Sequence, residues 1–155
     1  MAKECDCYFC KMRARGVPEN VVMAKLMELT EAKIAKDGWV IHYIVDRDRQ
    51  TPTGVNIHTH GLEELVGQKD LQLVAPISED FCSIIFTSII EQMLKGVEFK
   101  PGEIISEELM GFPMVLAVAT ETGRLVHRII LPDADFCLEK GRMTKPYSLQ
   151  WEGAE

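Results

Sequence analysis

Short connections between β-rich runs constrain this chain most. Met114 to Ala119 and Leu125 to Leu131 are aliphatic and β-branched, and they flank Thr120-Glu121-Thr122-Gly123. A parallel pair needs a crossover of roughly a dozen residues or more, so this spacing predicts an antiparallel hairpin. Trp39 to Val45 is apolar, aromatic and β-branched, which reads as a strand buried on both faces. After a polar loop from Asp46 to Gly54, Val55 to His60 returns as a strand antiparallel to it. Asp70 to Ala75 has strand composition and is ended by Pro76, and a short edge strand is expected at Tyr147 to Trp151.

Two helical segments accompany these strands. Pro18 suits a first helical turn, where its missing N–H costs nothing, and Glu19 favours the positive end of the helix dipole. Val22, Met23, Leu26, Met27, Thr30 and Ile34 then share one side, and Gly38 supplies the stop. The second helix begins at a Ser78 N-cap with Glu79 and Asp80 in its first turn. It places Phe81, Ile85, Ile89 and Met93 at four-residue steps and ends at Gly96, and Ile84, Phe86 and Ile90 broaden its apolar side. The fold class is α+β, a mostly antiparallel sheet with two main helices packed on one face. Residues 1–16 lack a helical or strand period and form a cysteine-rich lead-in, and 17–155 form a single α+β domain.

A chain of 155 residues is long enough to bury a core without staples. Its 24 acidic against 17 basic residues argue against a general nucleic-acid binder, whose affinity rests on Lys and Arg meeting phosphates. The beginning of the chain has no apolar core of the kind a signal peptide needs, and Phe81 to Ile90 falls far short of the roughly 20 residues of a membrane span. The odd count of 5 cysteines does not suit a disulfide framework. A reducing cytoplasm is the expected compartment.

Two groups of residues can carry chemistry. Cys5, Cys7 and Cys10 form C-x-C-x-x-C, whose tight C-x-x-C half is a spacing that structural zinc sites use. The fourth ligand must come from elsewhere: Cys82, Cys137, a histidine or Asp6. Exposed thiols on a frayed terminus are the bland alternative, and a redox pair with thiolates favoured by Lys11, Arg13 and Arg15 is a third. His58-x-His60 is the second group. On a strand, residues i and i+2 share a face, so both imidazoles can meet one metal ion or one substrate. A third ligand is then required, and His42 on the preceding strand is adjacent if the two strands pair. The alternatives are histidines that merely shape the turn before Gly61, or acid–base contact with a substrate. His127, among Leu125, Ile129 and Leu131, reads as a satisfied core histidine.

Gly38-Trp39, His58-Thr59-His60-Gly61-Leu62 and Asp70-Leu71-Gln72-Leu73, in that order, resemble the bacterial domain of unknown function numbered 4262. Arg128 to Asp133 and Pro146 to Gln150 look similar to that family's C-terminal half, so the resemblance spans about residues 20–150. Many members carry Tyr-Thr-x-Gly-Leu where this chain has His58-Thr59-His60-Gly61-Leu62. The resemblance implies a small bacterial α+β domain and no particular activity. The residues themselves point first to a cytoplasmic, homo-oligomeric domain with a structural zinc at Cys5, Cys7 and Cys10. A metal-dependent, hydrolase-like enzyme using His58 and His60 is the alternative, and a partner-binding module without nucleic acid or membrane contact is another.

Overall fold

A computed structural model describes residues 8–45, 53 and 55–155, with the backbone alone at 8–10 and 45. The chain divides into two compact units, Met1–Val40 and Ile41–Glu155. The first unit holds α1 (Tyr8–Ala14) and α2 (Glu19–Asp37). The first of these helices lies where the sequence shows no period: seven residues are too few to display one. Gly16 follows it at a left-handed φ, and Val17 donates its N–H back to the Met12 carbonyl, which ends the turn. Helix α2 starts after Pro18 and closes on left-handed Gly38, whose N–H reaches the Ile34 carbonyl. Its apolar stripe is less covered than expected. Val22 is buried, whereas Met27 stands 61% exposed.

The second unit is built on a six-stranded sheet in the order β1-β2-β3-β6-β5-β4. Its strands are β1 (Val40–Val45), β2 (Val55–His60), β3 (Leu71–Leu73), β4 (Ile104–Ile105), β5 (Met114–Glu121) and β6 (Arg124–Ile130). The sheet is mixed but mostly antiparallel. Among the described pairings, β3 and β6 run parallel, with Leu71 opposite His127 and Gln72 opposite Arg128. The long excursion between these two strands permits that crossover. Strand β1 lies at an edge, so it is half-covered rather than buried on both faces, and Ile44 is 44% exposed.

Helices α3 (Leu62–Val66) and α4 (Glu79–Leu94) complete the unit. The Ser78 hydroxyl accepts the Phe81 N–H at 3.2 Å, the cap the sequence predicts. Cys82, Ile85, Phe86, Ile89, Ile90 and Met93 make the buried side of α4, while Ile84 turns outward. Strands β5 and β6 pair from Val115–Ile130 down to Glu121–Arg124. Only Thr122 and Gly123 remain in the turn, both at positive φ, as a tight hairpin matched to strand twist requires.

One sheet face is covered by the C-terminal segment. Val115, Ala117, Ala119, Val126 and Ile130 cluster there with Met143 and Ala154, and Tyr147 and Trp151 pack against them. The stretch Tyr147–Trp151 is a 3-10 helix, not the expected edge strand. Its Gln150 amide bonds the Leu131 carbonyl and N–H, and the Trp151 indole donates to Leu138. Side-chain bonds thus replace a strand ladder. The edge pairing falls later, where Val118 and Glu155 exchange both backbone bonds.

Candidate metal centre

Three histidines converge at the β1–β2 side of the sheet. Alternation along β2 sends His58 and His60 to one face, and His42 arrives from β1. Ring centroids lie 4.6 Å apart for His42 and His60, 4.9 Å for His58 and His60, and 5.4 Å for His42 and His58. The planes are inclined by 57° to 80° rather than stacked. One nitrogen from each ring lies within 4.8 Å of the other two. Nitrogens on one tetrahedral zinc stand about 3.3 Å apart. Closing on an ion therefore requires ring movements on the order of 1 Å, within reach of small χ rotations.

The surroundings keep these rings neutral. Burial pushes the His58 imidazole down to about 4, with His60, His42 and Arg124 adding to the effect and Glu121 opposing it. His42 and His60 are lowered as well, chiefly by burial and with Arg124 adding to it. A neutral imidazole has a lone pair to give, which is the form that binds metal.

Acceptors surround His58 Nδ1. Asn56 Oδ1 lies 3.1 Å from it and Glu121 Oε1 lies 3.7 Å away. Glu121 is held as a carboxylate: burial raises its pKa, but hydrogen bonds from Thr122 and Arg124 and the charge of Arg124 outweigh that. Arg124 bridges the end of β2 to the hairpin. It donates to Glu121 Oε2 at 2.9 Å, Asp70 Oδ2 at 2.8 Å and the Thr59 carbonyl at 2.8 Å. Asp70 in turn accepts the Thr59 hydroxyl and the Leu62 N–H. This network fixes the strand end from which His60 projects.

A row of polar side chains leads away from His58 across the sheet. His58 is paired with Gln72 on β3, and Gln72 with Arg128 on β6. Gln72 Nε2 donates to Asn56 Oδ1 at 3.1 Å, and Arg128 Nε donates to Gln72 Oε1 at 2.8 Å. Arg128 Nη1 also donates to the carbonyls of Gln150 and Glu152. Burial lowers the Arg128 pKa to about 10, which still leaves it charged at neutral pH.

Other expected site residues fall elsewhere. Cys5 and Cys7 lie outside the described residues, and Cys10 is placed only as a residue of α1. Cys82 is buried in α4, and burial pushes its thiol up to about 12, an inert form. Cys137 is half-buried among the C-terminal residues that cover the sheet. His127 differs from the expectation of a satisfied core histidine, since its buried Nδ1 has no hydrogen-bond partner among the described residues. It sits on the strand position next to Arg128 and so faces away from the polar row.

Sequence reasoning points to His58 and His60 as ligands and sets His42 beside them only if the two strands pair. Glu121, Asn56, Gln72 and Arg128 escaped it. Asn56 carried one usable signal, because it precedes His58 by two residues and so shares its face. The other three come from distant strands, and pairing alone brings them in. No helix among the described residues is long and apolar enough to cross a membrane. The arrangement defines an α+β domain with a three-histidine cluster on its sheet. Compared with known proteins, the chain matches no family model, no curated protein and no solved structure.

Proposed function

We propose that this protein binds a divalent transition metal, with zinc the first candidate, through His42, His58 and His60. The supporting observation is the convergence of three neutral imidazoles from two adjacent strands. Three protein ligands leave the fourth tetrahedral position to water or substrate, which is the pattern of catalytic rather than structural zinc. A metal held by His42, His58 and His60 would supply Lewis-acid chemistry, lowering the pKa of water and polarising a carbonyl or phosphoryl oxygen. The reading is therefore a metal-dependent, hydrolase-like site. The Glu121 carboxylate stands 3.7 Å from His58 Nδ1, but Thr122 and Arg124 already bond both its oxygens. Its role is to orient and polarise His58, not to move a substrate proton.

The thiol site at Cys5, Cys7 and Cys10 is a separate proposal that rests on spacing. One experiment distinguishes the two. A variant with Cys5, Cys7 and Cys10 all changed to Ser is purified without chelator, loaded with cobalt and weighed by native mass spectrometry, which also counts subunits. Retention of one cobalt per chain without a thiolate charge-transfer band supports the histidine centre. His60→Ala in that background is expected to weaken binding by more than the about 10- to 100-fold that loss of an outer hydrogen-bond partner costs. Loss of all metal from the triple variant, with His60→Ala in the wild-type background still loading fully, would reverse the assignment in favour of the cysteines.

A further inference from the structure

The direction of every hydrogen bond in the row from Arg128 to His58 is determined by chemistry at its far end. A guanidinium has donors and no acceptor. Arg128 Nε therefore requires the Gln72 oxygen to face it, at 2.8 Å. That choice turns the Gln72 amino group to Asn56, at 3.1 Å, and the Asn56 oxygen must accept it. The same oxygen stands 3.1 Å from His58 Nδ1, which can satisfy it only by carrying the proton. The Glu121 carboxylate, 3.7 Å from Nδ1, is likewise only an acceptor.

We propose that Arg128, acting through Gln72 and Asn56, fixes His58 as the tautomer with its proton on Nδ1 and its lone pair on Nε2. These three are positioning residues, and they make Nε2 the atom His58 offers to a metal. That consequence rests on the three-histidine reading above, while the tautomer itself does not. The device resembles the outer hydrogen bonds that orient metal-binding imidazoles generally, with a neutral amide chain in place of a direct carboxylate. It also ties the histidine centre to the C-terminal segment, since Arg128 is anchored by the Gln150 and Glu152 carbonyls.

The test is long-range proton–nitrogen NMR of the histidine rings in metal-free, 15N-labelled protein at neutral pH, followed by zinc titration. Wild-type His58 is expected to show a protonated Nδ1 and an unprotonated Nε2. A proton on Nε2 in the wild type would overturn the proposal before any variant is made. Gln72→Glu keeps an acceptor for Arg128 but presents an acceptor to Asn56, so the Asn56 amide must turn over. The His58 population is then expected to move toward Nε2–H, and zinc affinity to fall about 10- to 100-fold. Asn56→Asp presents an acceptor in either orientation, so it should keep Nδ1–H and wild-type affinity or better. An unchanged tautomer in folded Gln72→Glu would also sink the idea. The expected tautomer pattern in a wild type that takes up no zinc would leave this inference standing and remove the metal reading instead.

Discussion

At the scale of single residues, the site depends on how few charges are left uncompensated. Arg124 satisfies two buried carboxylates, Glu121 and Asp70, and one backbone carbonyl. Arg124→Ala removes the cation that both carboxylates share among the described residues and should lower stability by about 3 kcal/mol. Chemical denaturation measures that loss, and a change below about 0.5 kcal/mol would show that the three bonds add nothing beyond a surface pair. Gly123 gives a cleaner case. It sits at φ +80° with nothing within 4 Å of where a Cβ would stand. Gly123→Ala should therefore cost about 1 kcal/mol from backbone strain alone, visible as a lower Tm with the denaturant m-value unchanged.

Among the elements, α4 was the most legible in advance. Its cap, its four-residue apolar step and its glycine stop all lie within one segment of chain, and local rules suffice for such features. Ile89 is completely buried on it, so Ile89→Ala should cost about 2–5 kcal/mol in equilibrium unfolding. Ser78→Ala should cost about 1 kcal/mol through the lost cap. The smaller or edge elements were harder to read. Helix α1 is too short to show a period, β1 reads as buried on both faces because its composition says nothing of its place in the sheet, and Tyr147–Trp151 reads as an edge strand. In that last segment the deciding bonds come from Gln150 and Trp151 side chains to Leu131 and Leu138, partners about a dozen residues or more away along the chain. No propensity records them.

For the molecule as a whole, stability should fall in acid by a traceable route. The Asp133 carboxylate accepts N–H groups from Asp135, Cys137 and Thr144 and the Thr144 hydroxyl. These bonds, led by the Thr144 and Cys137 N–H groups, hold its pKa below the ordinary 3.8. A carboxylate with a depressed folded pKa contributes stability that is full above the unfolded value and is lost as pH falls through the folded one. Thermal unfolding should therefore show a drop in Tm as pH is lowered below about 4. Asp133→Asn should be less stable at neutral pH and lose less on acidification. Parallel Tm–pH curves for the two proteins would remove Asp133 from the acid response. The segment it organises is the one that covers the sheet and anchors Arg128, so the acid response and the histidine row share a support.

The sequence alone carries what depends on neighbours in the chain. It carried the α+β class, the mostly antiparallel sheet, the β5–β6 hairpin, the capped α4, and the shared face of His58 and His60. Strand alternation and helix punctuation are local geometry, and they need no knowledge of what lies across the sheet. Folding bears out the expected adjacency of β1 and β2 and gives His42 its place beside the pair. The tertiary structure alone set Glu121 near His58 and aligned Gln72 and Arg128 in one row, because those contacts depend on strand order and register between segments up to about 70 residues apart.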